Sequence, residues 1–115
     1  MGTGETKIVR EVLSLLRDHH ILAFRNNTGV ARIGGRWVRF GVPGSPDIIG
    51  VLPGGRFLGI EVKTATGKEA DHQRDFRERI ELSGGVAIVV HSIEEALAKI
   101  KEYIRPRGQQ LGGEL

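Results

Sequence analysis

Two apolar runs joined by a tight turn, with a third run one helix later, constrain this chain more than any other feature. Asp47 to Leu52 carries Ile48-Ile49-Gly50-Val51-Leu52, dense enough to read as a central strand, and Phe57 to Lys63 carries Phe57-Leu58-Gly59-Ile60-Glu61-Val62. Pro53-Gly54-Gly55 between them reads as a hairpin turn. Gly67 then introduces a helix from about Glu69 to Leu82, with Gln73, Phe76 and Ile80 on one stripe, ended by Ser83-Gly84-Gly85. Val86 to Val90 is an unbroken apolar run, the pattern of a strand buried on both faces. The intervening helix is long enough to cross over and lay the Val86 strand parallel, or nearly so, in the sheet of the Phe57 strand. The outcome is an α/β layer: a mixed central sheet with helices on both sides.

The flanking segments fit that frame. Residues 5–18 read as a helix, with Ile8, Val9, Val12, Leu13 and Leu16 at helical spacing and Thr3 as its N-cap. On that wheel Glu5 falls near the middle of the apolar face, whereas Glu11 turns more than a quarter-circle away. Ile21 to Asn26 reads as a strand, and Ala31-Arg32-Ile33 and Trp37-Val38-Arg39-Phe40 flank a Gly34-Gly35-Arg36 hairpin turn. Ser92-Ile93-Glu94-Glu95 matches a capping box, opening a helix along Ile93, Ala96, Leu97, Ile100 and Ile104. Residues 1–115 form one expected domain, with 106–115 a polar, Gly-rich, mobile tail.

Composition removes several classes. There is no cysteine, which excludes disulfides and thiolate metal sites and fits an intracellular setting. No run approaches the roughly 20 apolar residues of a membrane span, and the N-terminus has no apolar signal core. His19, His20, His72 and His91 have no chelating spacing. The net charge is only +3, but no acid lies between His19 and Pro46, while Arg25, Arg32, Arg36 and Arg39 all do. Such a segment suits a polyanion or a solvated hairpin.

The charged residues at the strand ends carry the chemistry. Glu61 and Lys63 lie two apart on a strand and project to one face, and the turn folds Asp47 back beside them. Two carboxylates and an ammonium at one spot suit a hard divalent cation next to a phosphate. Asp47 and Glu61 are the ligand pair, and the backbone carbonyl of Val62 is a third. Lys63 is placed to orient or deprotonate water, or to offset charge on a phosphate. Gln73, on the inward stripe of the next helix, is placed to bind the water, Lys63 or a phosphate oxygen. Glu5 is an additional ligand, direct or through water.

Pro46-Asp47 followed by Glu61-Val62-Lys63 resembles the PD-(D/E)XK nuclease superfamily, and within it the VRR-NUC family of virus-type replication and repair nucleases. The resemblance covers nearly the whole chain. It takes in Glu5 on the first helix, the Phe24-Arg25-Asn26-Asn27 run, Gly44-Ser45-Pro46-Asp47-Ile48-Ile49-Gly50, Glu61-Val62-Lys63-Thr64, Gln73 and Gly84-Gly85. It implies a restriction-endonuclease-like core in the order α-β-β-β-α-β-α. It also implies a Mg²⁺-dependent DNA endonuclease in which Mn²⁺ substitutes, of the stand-alone phage or prophage kind, working in the cytoplasm of a bacterial host. Small nucleases of this type are similar to junction resolvases, so the expected substrate is a four-way (Holliday) junction in DNA repair or recombination. Two symmetric cuts need two sites, hence a C2 homodimer. The arginines at 25, 32, 36 and 39, with Trp37 and Phe40, either contact DNA or help form that dimer.

The competing readings are a flap, nick or single-strand nuclease of the same fold, and a non-catalytic nucleic-acid-binding module. The latter is marked by loss of Asp47, Glu61 or Lys63, all of which are present. A toxin–antitoxin or scaffold protein without a nucleic-acid role finds little support in the charge pattern.

Overall fold

A computed structural model describes residues 3–104; the expected tail at 106–115 lies outside them. Helix α1 (Thr3–Asp18) buries Val9, Val12 and Leu16 completely. It begins at Thr3, which is therefore its first residue and not its N-cap. Apolar spacing marks where burial starts, whereas the backbone ladder runs on past it.

Four strands form the central sheet in the order β1 (Leu22–Arg25), β4 (Ile48–Val51), β5 (Phe57–Val62), β6 (Val86–Val90). β4 pairs antiparallel with β1 and with β5, setting Phe24 opposite Ile49 and Ile48 opposite Ile60. β6 runs parallel to β5, Ile60 opposite Ile88. The crossover between them is α2 (Asp71–Leu82), as the apolar run after a helix requires. Alternation along β5 sends Leu58, Ile60 and Val62 into the main core with α1 and α3 (Ile93–Ile100), all three fully buried. Gly59 and Glu61 face the other way, toward α2. The sheet is thus mixed and covered by helices on both sides, and its elements follow the order α-β-β-β-α-β-α.

Two further helices differ from expectation, each for a local reason. α2 starts at Asp71 and not near Glu69, because the Gln73 side-chain oxygen accepts the Ala70 N–H at 2.8 Å and makes Ala70 the cap. Glu69, left outside, holds Arg77 at 3.0 Å. At α3, Ser92 Oγ accepts the Glu95 N–H at 3.0 Å, but the Glu95 carboxylate takes the His91 N–H at 2.6 Å, so the reciprocal half of the box is displaced by one residue. α3 ends at Ile100, a 3₁₀ turn covers Lys101–Tyr103, and Ile104 still packs against the core.

The basic hairpin does not join the central sheet. Among the described residues, β2 (Gly29–Ile33) and β3 (Arg36–Phe40) pair only with each other, as a ribbon whose second strand is exposed throughout. Its turn is Gly34-Gly35, with φ of 57° and 77°, the left-handed pair that a two-residue hairpin turn demands.

Candidate active site

The site grows from the paired ends of β4 and β5. Extending the β4–β5 register by one residue sets Asp47 opposite Glu61. Asp47 Oδ2 accepts the Val62 N–H at 2.7 Å, which fixes the carboxylate against the end of β5. Pro46 is seated over Gly59: a Cβ there would lie 2.6 Å from Pro46 Cγ and 3.1 Å from Ile80 Cδ1. The missing side chain of Gly59 is what lets the Pro46-Asp47 corner close down on the strand two residues before Glu61.

A second clamp holds the same corner from the β1 side. Asn26 donates its backbone N–H to the Asp47 carbonyl at 2.7 Å. Its side-chain amide donates to Ser45 Oγ at 2.7 Å and to the Pro46 carbonyl at 2.8 Å, and Ser45 Oγ donates to the Val42 carbonyl at 2.6 Å. Sequence reasoning does not single out Asn26 and Ser45 as site residues. The only signal for Asn26 is its place in the Phe24–Asn27 run, which says nothing of its partners.

Glu61 is buried, 5% exposed, and three groups surround it. Gln73 Nε2 donates to its Oε1 at 2.7 Å, and Lys63 Nζ stands 3.9 Å from the same oxygen. The sequence leaves Gln73 three possible partners, the water, Lys63 or a phosphate; here it has a different one, Glu61. Its orientation is unambiguous, because the amide oxygen is taken by the Ala70 N–H and only the NH₂ can face the carboxylate. The third group is the Asp47 carboxyl, within hydrogen-bonding reach. Burial first, and the Asp47 charge second, push the Glu61 carboxyl from 4.5 to about 8, with Lys63 pulling the other way. Burial also raises Asp47, against the Val62 N–H and Lys63, while Glu5 adds to the rise. Both shifts oppose ionisation of the pair, the larger one at Glu61.

Glu5 is half-buried in the first turn of α1. That turn lies beside the end of β5, since a Cβ on Gly4 would sit 3.9 Å from Thr64 Cγ2. Its field reaches Asp47, yet no group of three or more His, Cys, Asp or Glu side chains among the described residues is arranged to hold a metal. Val62 lies between Glu61 and Lys63, its N–H committed to Asp47. A cleft beside the pair is lined by Pro46, Gly59, Glu61, Gln73 and Arg77. Arg77 is already neutralised by Glu69 and by Glu81, at 3.0 and 2.9 Å.

The four arginines divide. Arg25 is half-buried on β1, opposite Ile48. Arg32, Arg36 and Arg39 are exposed on the ribbon. Trp37 and Phe40, expected to act together, lie on opposite faces of it, since Trp37 pairs with Arg32 and Phe40 with Gly29.

Among solved structures, the chain is similar to one described as a "VRR_NUC domain", with a TM-score of 0.63 and 24% identity, covering 89% of this chain and 98% of that one. No protein-family model and no curated protein matches the sequence. At this identity the likeness speaks to architecture alone: the chain has the fold of a VRR_NUC domain.

Proposed function

We propose that this protein is a Mg²⁺- or Mn²⁺-dependent structure-selective DNA endonuclease that hydrolyses phosphodiester bonds, acting as a homodimer on four-way junctions. The observation that carries the reading is the half-buried Asp47 beside the buried Glu61, with Lys63 next to them. The residues fit a hard cation. They offer carboxylate oxygens and no sulfur, the donor type that Mg²⁺ prefers. Asp47, Glu61 and the Val62 carbonyl would hold the ion, with Glu5 as a further ligand direct or through water. When bound, it would supply charge neutralisation at the scissile phosphate.

The chain's own residues do the rest. Val62 N–H and Gln73 Nε2 lock one oxygen each of Asp47 and Glu61, so neither carboxylate must be reoriented when it is needed. Lys63, with 15% of its side chain exposed, is close enough to the pair to orient a water and to offset charge on the attacked phosphate. Arg32, Arg36 and Arg39 supply phosphate contacts outside the cleft, and Arg25 supports them from β1. The ribbon's exposed apolar residues Ile33, Val38 and Phe40 favour a second copy of the chain and hence paired cuts.

The test is cleavage of branched and linear DNA with Mg²⁺, Mn²⁺ or Ca²⁺. Asp47→Ala should abolish cutting while retaining DNA binding, and Lys63→Ala should abolish it with metal binding kept. Normal turnover in Asp47→Ala would refute the site, and equal cutting of duplex and junction would remove the junction specificity. A flap or nick preference in the same panel would identify the alternative substrate.

A further inference from the structure

The β2–β3 register separates the ribbon into two chemically distinct faces. Arg32 is opposite Trp37 and Val30 opposite Arg39, so these four share one face. Ala31, Val38, Ile33, Arg36 and Phe40 share the other. The first face is cationic and aromatic. The guanidinium of Arg32 lies over the Trp37 ring, 5.5 Å from its centroid, yet Trp37 remains 70% exposed. A large aromatic ring left in water, on a strand exposed throughout among the described residues, marks an interaction surface. The charge around it chooses the partner, since no acid occurs between His19 and Pro46.

From this geometry we infer that the Arg32–Trp37–Arg39 face reads interruptions in nucleic acid: Trp37 stacks on a base exposed where pairing is broken, and Arg32 and Arg39 hold the flanking phosphates. The inference rests on the nuclease reading for its substrate and adds the feature recognised. An intact duplex buries both faces of every base in its stack, whereas a branch point, gap or single strand leaves a face free for an aromatic platform. The cation over Trp37 pre-orients the ring and stays within reach of the phosphate next to the stacked base. The ribbon is joined to the chemistry. Both its strands run back to the Asn26–Ser45–Pro46 clamp that holds Asp47, so a base on Trp37 fixes the DNA relative to the carboxylates.

Trp37 is the sole tryptophan in the sequence, so selectively excited tryptophan fluorescence reports on this ring alone. The full chain is titrated in EDTA with a paired duplex and with the same duplex carrying a short central gap. The gapped DNA should quench Trp37 strongly and the intact duplex weakly. Trp37→Ala should bind gapped DNA about 10-fold more weakly and intact duplex almost unchanged, while Trp37→Phe stays close to the wild type. Equal quenching by both DNAs overturns the inference, as does Trp37→Ala binding both as tightly as before. A fluorescence change on raising protein concentration alone, with no response to DNA, would assign the face to a second copy and also overturn it. A protein that cuts DNA while Trp37 stays silent refutes the ribbon reading only. Selective quenching by gapped DNA without cutting in Mg²⁺ or Mn²⁺ keeps the ribbon reading and removes the nuclease.

Discussion

Replacing Glu61 with glutamine should stabilise the metal-free protein at alkaline pH and hardly change it at acid pH. In the folded chain Glu61 keeps its proton to about pH 8, against 4.5 for an ordinary glutamate. Folding therefore takes up a proton between those values, and stability falls as pH rises through that window. A displacement from 4.5 to about 8, at 1.36 kcal/mol per tenfold change in proton affinity, corresponds to about 5 kcal/mol lost above pH 8. Water entering the cleft on ionisation reduces this, and about 2–5 kcal/mol is the expected range. The amide introduced by Glu61→Gln would mimic the protonated carboxyl: its oxygen still accepts from Gln73 Nε2, its NH₂ still donates toward Asp47, and it cannot ionise. Urea denaturation in EDTA measures the difference. The two proteins should agree within about 1 kcal/mol near pH 5, and Glu61→Gln should be more stable by about 2–5 kcal/mol near pH 9. Added Mg²⁺ should close the gap by stabilising wild type alone. Parallel stability curves across the pH range would refute the reasoning, because they would mean that Glu61 ionises without penalty.

The remaining predictions concern how the corner is held. Asn26→Ala removes the donors to Ser45 Oγ and the Pro46 carbonyl and should cost about 1–3 kcal/mol in urea denaturation, with a fall of at least about 10-fold in kcat/KM at unchanged DNA affinity. Gly59→Ala places a Cβ 2.6 Å from Pro46 Cγ and should destabilise by about 1–3 kcal/mol while displacing Asp47, read as lost cleavage in protein that still unfolds cooperatively. Glu5→Gln should impair activity far more than Glu11→Gln, since only Glu5 acts on Asp47; the reverse order in a cleavage assay would contradict the helix phase.

Much of the site was legible because it rests on local periods. Glu61 and Lys63 share a face whatever surrounds the strand, and the Pro53-Gly54-Gly55 turn brings Asp47 back beside them. The partner of Gln73 was not legible, because it follows from a cap bond to Ala70 that turns the amide. Asn26 was hidden for a similar reason. Its three bonds to residues 45–47 join segments about twenty positions apart, and nothing in its own neighbourhood specifies them.

The covalent order of residues by itself determined the layer of helices on a mixed sheet, the crossover into Val86–Val90 and the meeting of Asp47 with Glu61. All of these follow from side-chain alternation and chain connectivity, which operate over a few residues. Only the tertiary structure decided that the arginine-rich hairpin stands apart from the sheet, that Trp37 and Phe40 turn to opposite sides of it, and that Glu61 is buried deeply enough to keep its proton. Those outcomes depend on which surfaces remain uncovered once the core has closed, a property of the packed whole and of no segment within it.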